Sequence, residues 1–494
     1  MNVAQSLPSN ADPVAGIIAD FNLRTPGSKR MSAENRRVLA DKSSIGLAFS
    51  NEIKEACYPI VAEHAEGAYL RDVDGNRYVD ILMGLGTSLF GHNPPFIREA
   101  IEARLAQGFP IGPQSELAGE TAGLFCQLTG MDRVTFSNTG SEAVMTAIRL
   151  ARTATRRDRI AFFTSSYHGH FDAALSRATA LEYYRKGALR RAASSAPFRL
   201  ARPLLERLMF TRGHPSALGI PKAASRDVLM LDYGNPRSLD VLRRKGSRIA
   251  AVIVEPVQTR CPEIQPRDFL HELRRITEAS GTALVFDEMV TGFRVHPGGA
   301  QAHFGVQADL ATYSKIAGGG LPLSVIAGRH RFMNHLDGGE WSFGDDSGPS
   351  TPTTFFAGTF CRHPLSLSAA RATARHLLAE GPSLQEGLNA RTADLVCRLN
   401  ADARSDGLPV TFTGFGSFFA MALSQSAITP LALNLLSFLL LTRGVHLRGG
   451  DRGGFLSTAH SDADIDAVRV AFSEGLRTLA DLGLLNRNDR SVRS

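Results

Sequence analysis

At 494 residues, with 43% hydrophobic and 21% charged side chains, the chain has a globular balance and enough length for more than one hydrophobic core. The net charge of +7 is modest for that length, and no basic run is interleaved with aromatic residues, which argues against nucleic acid as a partner. Five scattered cysteines without a CxxC pair argue against a disulfide framework and a metal site. No stretch reaches the length of a membrane span, and the N-terminus lacks a basic region followed by an apolar one, so a soluble cytoplasmic chain without a membrane partner is expected.

Residues 1–30 are polar and read as a loose arm, followed by a short helix over 32–41. Residues 69–79 alternate around Asp74-Gly75, a hairpin signal. The Gly-rich stretch 82–93 implies a close backbone approach. Helical spacing marks 96–107 and 115–130. A strand over 134–137 runs into Asn138-Thr139-Gly140-Ser141-Glu142 and a helix from about 143 to 153. Further strands follow at 160–163, 228–231, 250–254, 283–286, 310–313 and 325–327, with a helix near 268–280. That alternation predicts an α/β fold with a mainly parallel sheet covered on both faces. From about 365 the pattern turns to helices at 365–379, 384–400, 428–443 and 462–481 around strands at 410–412 and 417–422, a smaller α+β lobe. The expected division is an arm at 1–30, a segment 31–95 joining the small lobe, a large domain at 96–364 and a small domain at 365–494. Within the large domain, 178–222 is rich in arginine (Arg185, Arg190, Arg191, Arg199, Arg202, Arg207, Arg212), either a solvated surface insertion or a docking face for an acidic partner.

Polar groups close four of the strands in turn. Gly140 and Ser141 open a helix, where free N–H groups suit a phosphate, although Ser there is also an ordinary cap. Tyr167 and His168 follow the strand at 160–163, where a ring could stack on a planar cofactor or simply pack. Glu255 and Gln258 end an apolar strand that seldom tolerates a carboxylate. Asp287 ends the strand at 283–286 and points to the crevice where open α/β sheets bind ligands. Lys315 then sits between Tyr313-Ser314 and Gly318-Gly319-Gly320. An acid on a buried strand and a lysine on a tight loop suit pyridoxal phosphate: the lysine as a Schiff base, the acid holding the pyridinium nitrogen charged.

The motifs SNTGSEAVMTAIRLAR, SYHGH, VEPVQ, FDEMVTGFR, YSKIAGGGLP and AGTFCRHPLSLSAA occur in one order over about residues 45–480. With them the chain resembles a class III, fold-type I, pyridoxal-phosphate-dependent aminotransferase. Within that class it is similar to glutamate-1-semialdehyde aminomutase. FGHNPPFI, IGPQSELAG, HPGGAQAHFGVQADLATY and FLSTAHSDADID bring it closer still to the aminotransferase domains of hybrid polyketide–nonribosomal peptide assembly lines.

The resemblance implies a large domain with a mainly parallel sheet and a smaller lobe from both chain ends. It implies pyridoxal 5′-phosphate, with pyridoxamine phosphate during turnover. Lys315 would hold the cofactor and move the proton between Cα and C4′, and Asp287 would pair with the ring nitrogen. Gly140 and Ser141 would bind the phosphate, and Thr359 would reach the phosphate of a partner subunit in a homodimer. Tyr167 would stack on one ring face beside His168, and Met289, where the family usually has Val, would pack the other. Gln258 would bond the 3-hydroxyl, with Glu255 near the ring and the substrate entrance. The arginine that many relatives use for a substrate carboxylate has only loose candidates, Arg448 and Arg452. The implied function is amino transfer from an amino-acid donor to an aldehyde, ketone or carrier-bound β-keto acyl group of a natural-product intermediate, with an acyl carrier protein as a further partner. An aminomutase and a non-catalytic docking subunit are the competing readings.

Overall fold

The computed structural model describes residues 12–41, 46–47, 49–178 and 212–487, so most of the arginine-rich segment lies outside the described residues. The chain forms two compact units, one of residues 96–385 and one of the described residues before and after that span.

The larger unit is built on a seven-stranded sheet. In chain order its strands are β1 (Arg133–Ser137), β2 (Arg159–Phe163), β3 (Val228–Leu231), β4 (Ile249–Val254), β5 (Ala283–Asp287), β6 (Leu310–Tyr313) and β7 (Ser324–Gly328). Their order across the sheet is β1-β7-β6-β5-β4-β2-β3. All are parallel except β7, which runs against both β6 and β1. The seven segments read as strands within the large domain are the seven in this sheet. Every residue of β4 and β5 is buried, which is why both read as unbroken apolar runs rather than alternating ones.

The helix Gly140–Thr155 begins earlier than its apolar spacing suggested. Thr139 and Glu142 form a capping box there, each side chain bonding the other's end of the first turn. Its buried face, including Val144, Ala147 and Ile148, packs with Ile253 and Val285 of the sheet. Burying an aliphatic side chain such as Ile148 contributes about 1.5–3 kcal/mol.

One expected boundary moves. The helix Pro364–Glu380, placed in the small domain from its sequence, belongs to the larger unit, whose boundary falls after Gln385. Ser368 Oγ donates to the Ala100 carbonyl at 2.7 Å, and Arg371 and Arg375 both pair with Glu120. Gly319, just past Lys315, lies so close to this helix that a Cβ would sit 3.0 Å from the Ala369 carbonyl oxygen.

In the other unit, part of the expected loose arm is helical. Asp12 caps a helix Pro13–Arg24 with proline at its first turn, and a second helix, Pro26–Asn35, takes the place of the one expected over 32–41. Ile17, Ile18 and Phe21 are buried, and the Phe21 ring stacks on Tyr58 and Phe438. The expected hairpin is present as Tyr69–Asp72 and Arg77–Asp80. Asp80, at its end, accepts hydrogen bonds from the Leu82 and Met83 amides and meets His92 Nε2 at 2.8 Å and His446 Nδ1 at 2.7 Å. Burial pushes the Asp80 carboxyl up, but the two histidines outweigh it and hold it well below the usual carboxylate range. Arg448 is engaged by Asp451, with contacts of 3.0 and 3.1 Å.

Candidate active site

Asp287 is the last residue of β5 and is buried, in register with Thr312 of β6. One carboxylate oxygen meets His168 Nδ1 at 2.7 Å; the other accepts the Met289 amide at 3.2 Å. His168 is itself buried and stacks on Phe162, so its ring is fixed behind the acid. The structure therefore gives His168 the place of a support for Asp287. Its Nε2 and the Thr312 hydroxyl are both buried polar atoms without a hydrogen-bond partner.

Lys315 follows β6 by two residues and opens the short turn Lys315–Gly318 at a positive φ of 42°. Ser314 and Ser324 hold that turn, Ser314 Oγ donating to the Leu323 carbonyl and Ser324 Oγ to Ser314. Burial pushes the Lys315 ammonium below the usual lysine range, Asp287 and Glu255 pull it back up, and Arg294 pushes it down again. The lysine and both acids thus act on one another electrostatically.

Glu255 and Gln258 follow β4. Glu255 is buried and accepts the Tyr167 amide at 3.0 Å; burial raises its carboxyl to about 7. Gln258 is buried and donates through Nε2 to the Thr164 carbonyl at 3.0 Å, which fixes the amide and leaves Oε1 as an acceptor. Tyr233 anchors the segment by donating to the Pro256 carbonyl at 2.6 Å. The Tyr167 ring is exposed, with the Arg260 guanidinium 5.9 Å from its centroid.

Gly140 and Ser141 form the first turn of their helix, ahead of its first intrahelical bond, from the Ala143 amide to Thr139. A Cβ on Gly140 would sit 2.8 Å from Met289 Sδ, so these two expected site residues touch. Thr359 lies on an exposed turn.

Sequence reasoning passed over three residues here. His170 contacts Ser141, Arg294 is fully buried and acts on Lys315, and Glu288 is buried beside Asp287. Glu288 accepts from Thr291 Oγ1 and from the amides of Ala300 and Gln301, and burial raises its carboxyl to about 7. Its neighbour Asp287 hid it: strand alternation sends the two to opposite faces, and only packing shows that both faces are buried. His170 had a signal in the second histidine of SYHGH.

The sequence pattern of the family described as aminotransferase class-III matches residues 50–451. The chain belongs to the class-III aminotransferases. It is 36% identical over 432 residues to the glutamate-1-semialdehyde 2,1-aminomutase of Desulforudis audaxviator (strain MP104C), covering 85% of this chain and 90% of that protein. Among solved structures it is similar to a β-phenylalanine aminotransferase from Variovorax paradoxus, with a TM-score of 0.77 and 26% identity over 97% of this chain and 99% of the other. A transaminase solved with PLP bound gives a TM-score of 0.76 and 26% identity over 92% and 99%.

The class-III aminotransferase fold fits its cofactor, pyridoxal phosphate. A lysine with a depressed ammonium, a buried acid backed by a histidine, and a helix start without side-chain bulk at Gly140 are the groups that the Schiff base, ring nitrogen and phosphate need. No helix among the described residues is long and apolar enough to cross a membrane, and no group of His, Cys, Asp or Glu among them could hold a metal ion.

Proposed function

We propose that this aminotransferase moves an amino group from an amino-acid donor to a carbonyl of a natural-product biosynthetic intermediate. The observation that carries the amino-transfer reading is Lys315, a lysine with its ammonium depressed by burial and two acids acting on it. As a neutral amine it can attack a carbonyl, and it can take a proton from a substrate carbon and return it one position away. Bound pyridoxal phosphate supplies the electron sink that makes that proton acidic. Asp287 holds the ring-nitrogen proton, kept in place by His168 and the Met289 amide. Tyr167 and Met289 enclose the ring, Gln258 Oε1 receives the 3-hydroxyl, and Gly140 and Ser141 hold the phosphate. Glu255, neutral or charged near pH 7, lies at the substrate side.

Assembly as a homodimer completes the site through Thr359 of each subunit. Exposed Trp341, Phe343, Phe355 and Phe360, in the same segment as Thr359, support this, because isolated chains rarely expose so much aromatic surface together. The likeness of residues 296–302 to assembly-line domains supports a natural-product acceptor, free or on an acyl carrier protein.

Replacing Lys315 by Ala should abolish turnover while pyridoxal phosphate still binds through Asp287 and the phosphate contacts; normal turnover would overturn the assignment. Single-turnover assays of enzyme preloaded with the donor's amino group, against free aldehydes, free ketones and carrier-bound β-keto acids, identify the acceptor. The relationship to an aminomutase favours a second reading, in which one amino-aldehyde is isomerised. Release of a keto acid from an external donor excludes it; conversion of an amino-aldehyde without a donor establishes it.

A further inference from the structure

The Ser141 hydroxyl is held by one residue twice. The His170 amide donates to Ser141 Oγ at 3.0 Å, and His170 Nδ1 lies 2.9 Å from the same oxygen. Both contacts are delivered by Gly169, whose φ of +88° and close approach exclude any side chain. A Cβ there would fall 2.4 Å from Ser141 Oγ and 2.8 Å from its Cα. A serine that only capped its helix would need neither contact, and the capping role here belongs to Thr139.

We propose that His170 is a positioning residue that sets the direction of the Ser141 hydroxyl proton and so the affinity for the cofactor's phosphate. This rests on the reading that Gly140 and Ser141 hold that phosphate. A hydroxyl has one proton and two lone pairs. The His170 amide takes one lone pair. If Nδ1 carries no proton, the Ser141 proton is spent on it, and the oxygen turns only a lone pair toward the anion. If Nδ1 carries the proton, it donates into the second lone pair and the Ser141 proton is released outward. A phosphate oxygen only accepts, so its binding requires the second state: Nδ1–H to Oγ, and Oγ–H to phosphate. The outward bond is then charge-assisted, roughly twice as strong as a neutral one. His170 need not touch the ligand to control it.

The test uses the full-length apoenzyme titrated with pyridoxal phosphate and, separately, with pyridoxal, followed by absorbance and by fluorescence of the single tryptophan. His170→Leu removes the donor; His170→Asn places an amide N–H near the Nδ1 position. The Kd for pyridoxal phosphate should rise about tenfold in His170→Leu and stay within about threefold of wild type in His170→Asn, with the Kd for pyridoxal unchanged in both. Combined with Ser141→Ala, His170→Leu should add nothing, because it acts through that hydroxyl. Equal weakening for both ligands, failure of Asn to rescue, or additivity in the double variant overturns the proposal. If Ser141→Ala weakens pyridoxal phosphate but His170→Leu does not, the proposal alone fails. If Ser141→Ala leaves that Kd unchanged, the phosphate reading fails and the proposal falls with it.

Discussion

Two buried carboxylates, Glu255 and Glu288, are raised to about 7 from the same first cause, loss of water, yet they should answer differently to the same substitution. Both bind a proton more tightly in the folded chain than in the unfolded one. Their stabilisation is therefore fully present below about pH 4.5 and lost as pH rises through 7, of order 3 kcal/mol for each. The apoenzyme's urea midpoint should fall between pH 5.5 and 8. Glu255→Gln should flatten that fall, because the amide oxygen can still accept from Tyr167 and no charge remains to be buried. In Glu288 both oxygens already accept backbone N–H groups. Glu288→Gln would face one of those donors with its own NH2 and should cost about 1–3 kcal/mol even at pH 6. A common response of the two variants would refute the distinction. Glu255 could be noticed in the sequence as a carboxylate closing an apolar strand; its bond to the distant Tyr167 amide, and the bonds of Glu288 to the loop at Ala300 and Gln301, follow only from the packed structure.

Among the elements, the tightest constraint is where the lysine turn meets the helix Pro364–Glu380. Gly319 has φ +59°, and a Cβ there would approach Thr373 Oγ1 at 2.7 Å as well as the Ala369 carbonyl. Gly319→Ala should destabilise the fold by about 2 kcal/mol or more, read as a lowered Tm, and should weaken cofactor binding because the strain falls on the turn that starts at Lys315. The sheet was legible because strands buried on both faces are short, continuous and apolar, as in Ile249–Val254 and Ala283–Asp287. Helix allegiance was not. The spacing in Pro364–Glu380 says that a face is buried but not against which core, and its contacts with Ala100, Glu120 and Gly319 are all long-range. The helix Pro13–Arg24 escaped notice because it buries only Ile17, Ile18 and Phe21 within a polar stretch.

For the molecule as a whole, each unit has its own point of failure. In the unit holding both chain ends, Asp80 receives two amides and two histidines from separated segments. Asp80→Asn would leave one of the two backbone amides facing an NH2 group, and about 2–4 kcal/mol of stability should be lost in urea unfolding. In the larger unit, the proposed homodimer predicts that replacing Phe343 and Phe355 together by Glu gives a monomer by sedimentation, with weakened cofactor affinity because Thr359 would no longer reach its partner. A monomer with unchanged affinity would refute the shared site.

The sheet topology also dictates an order of events. Ser137, at the end of β1, pairs with Ser324 in β7, far along the chain, so Gly140 and Lys315 reach one sheet only after the intervening segments have closed. Long loops of this kind make folding slow. The pocket should be among the last things to exist during refolding, and cofactor present from the start should not speed the return of structure. It should instead raise the final yield and melting temperature, acting on chains that have already finished folding.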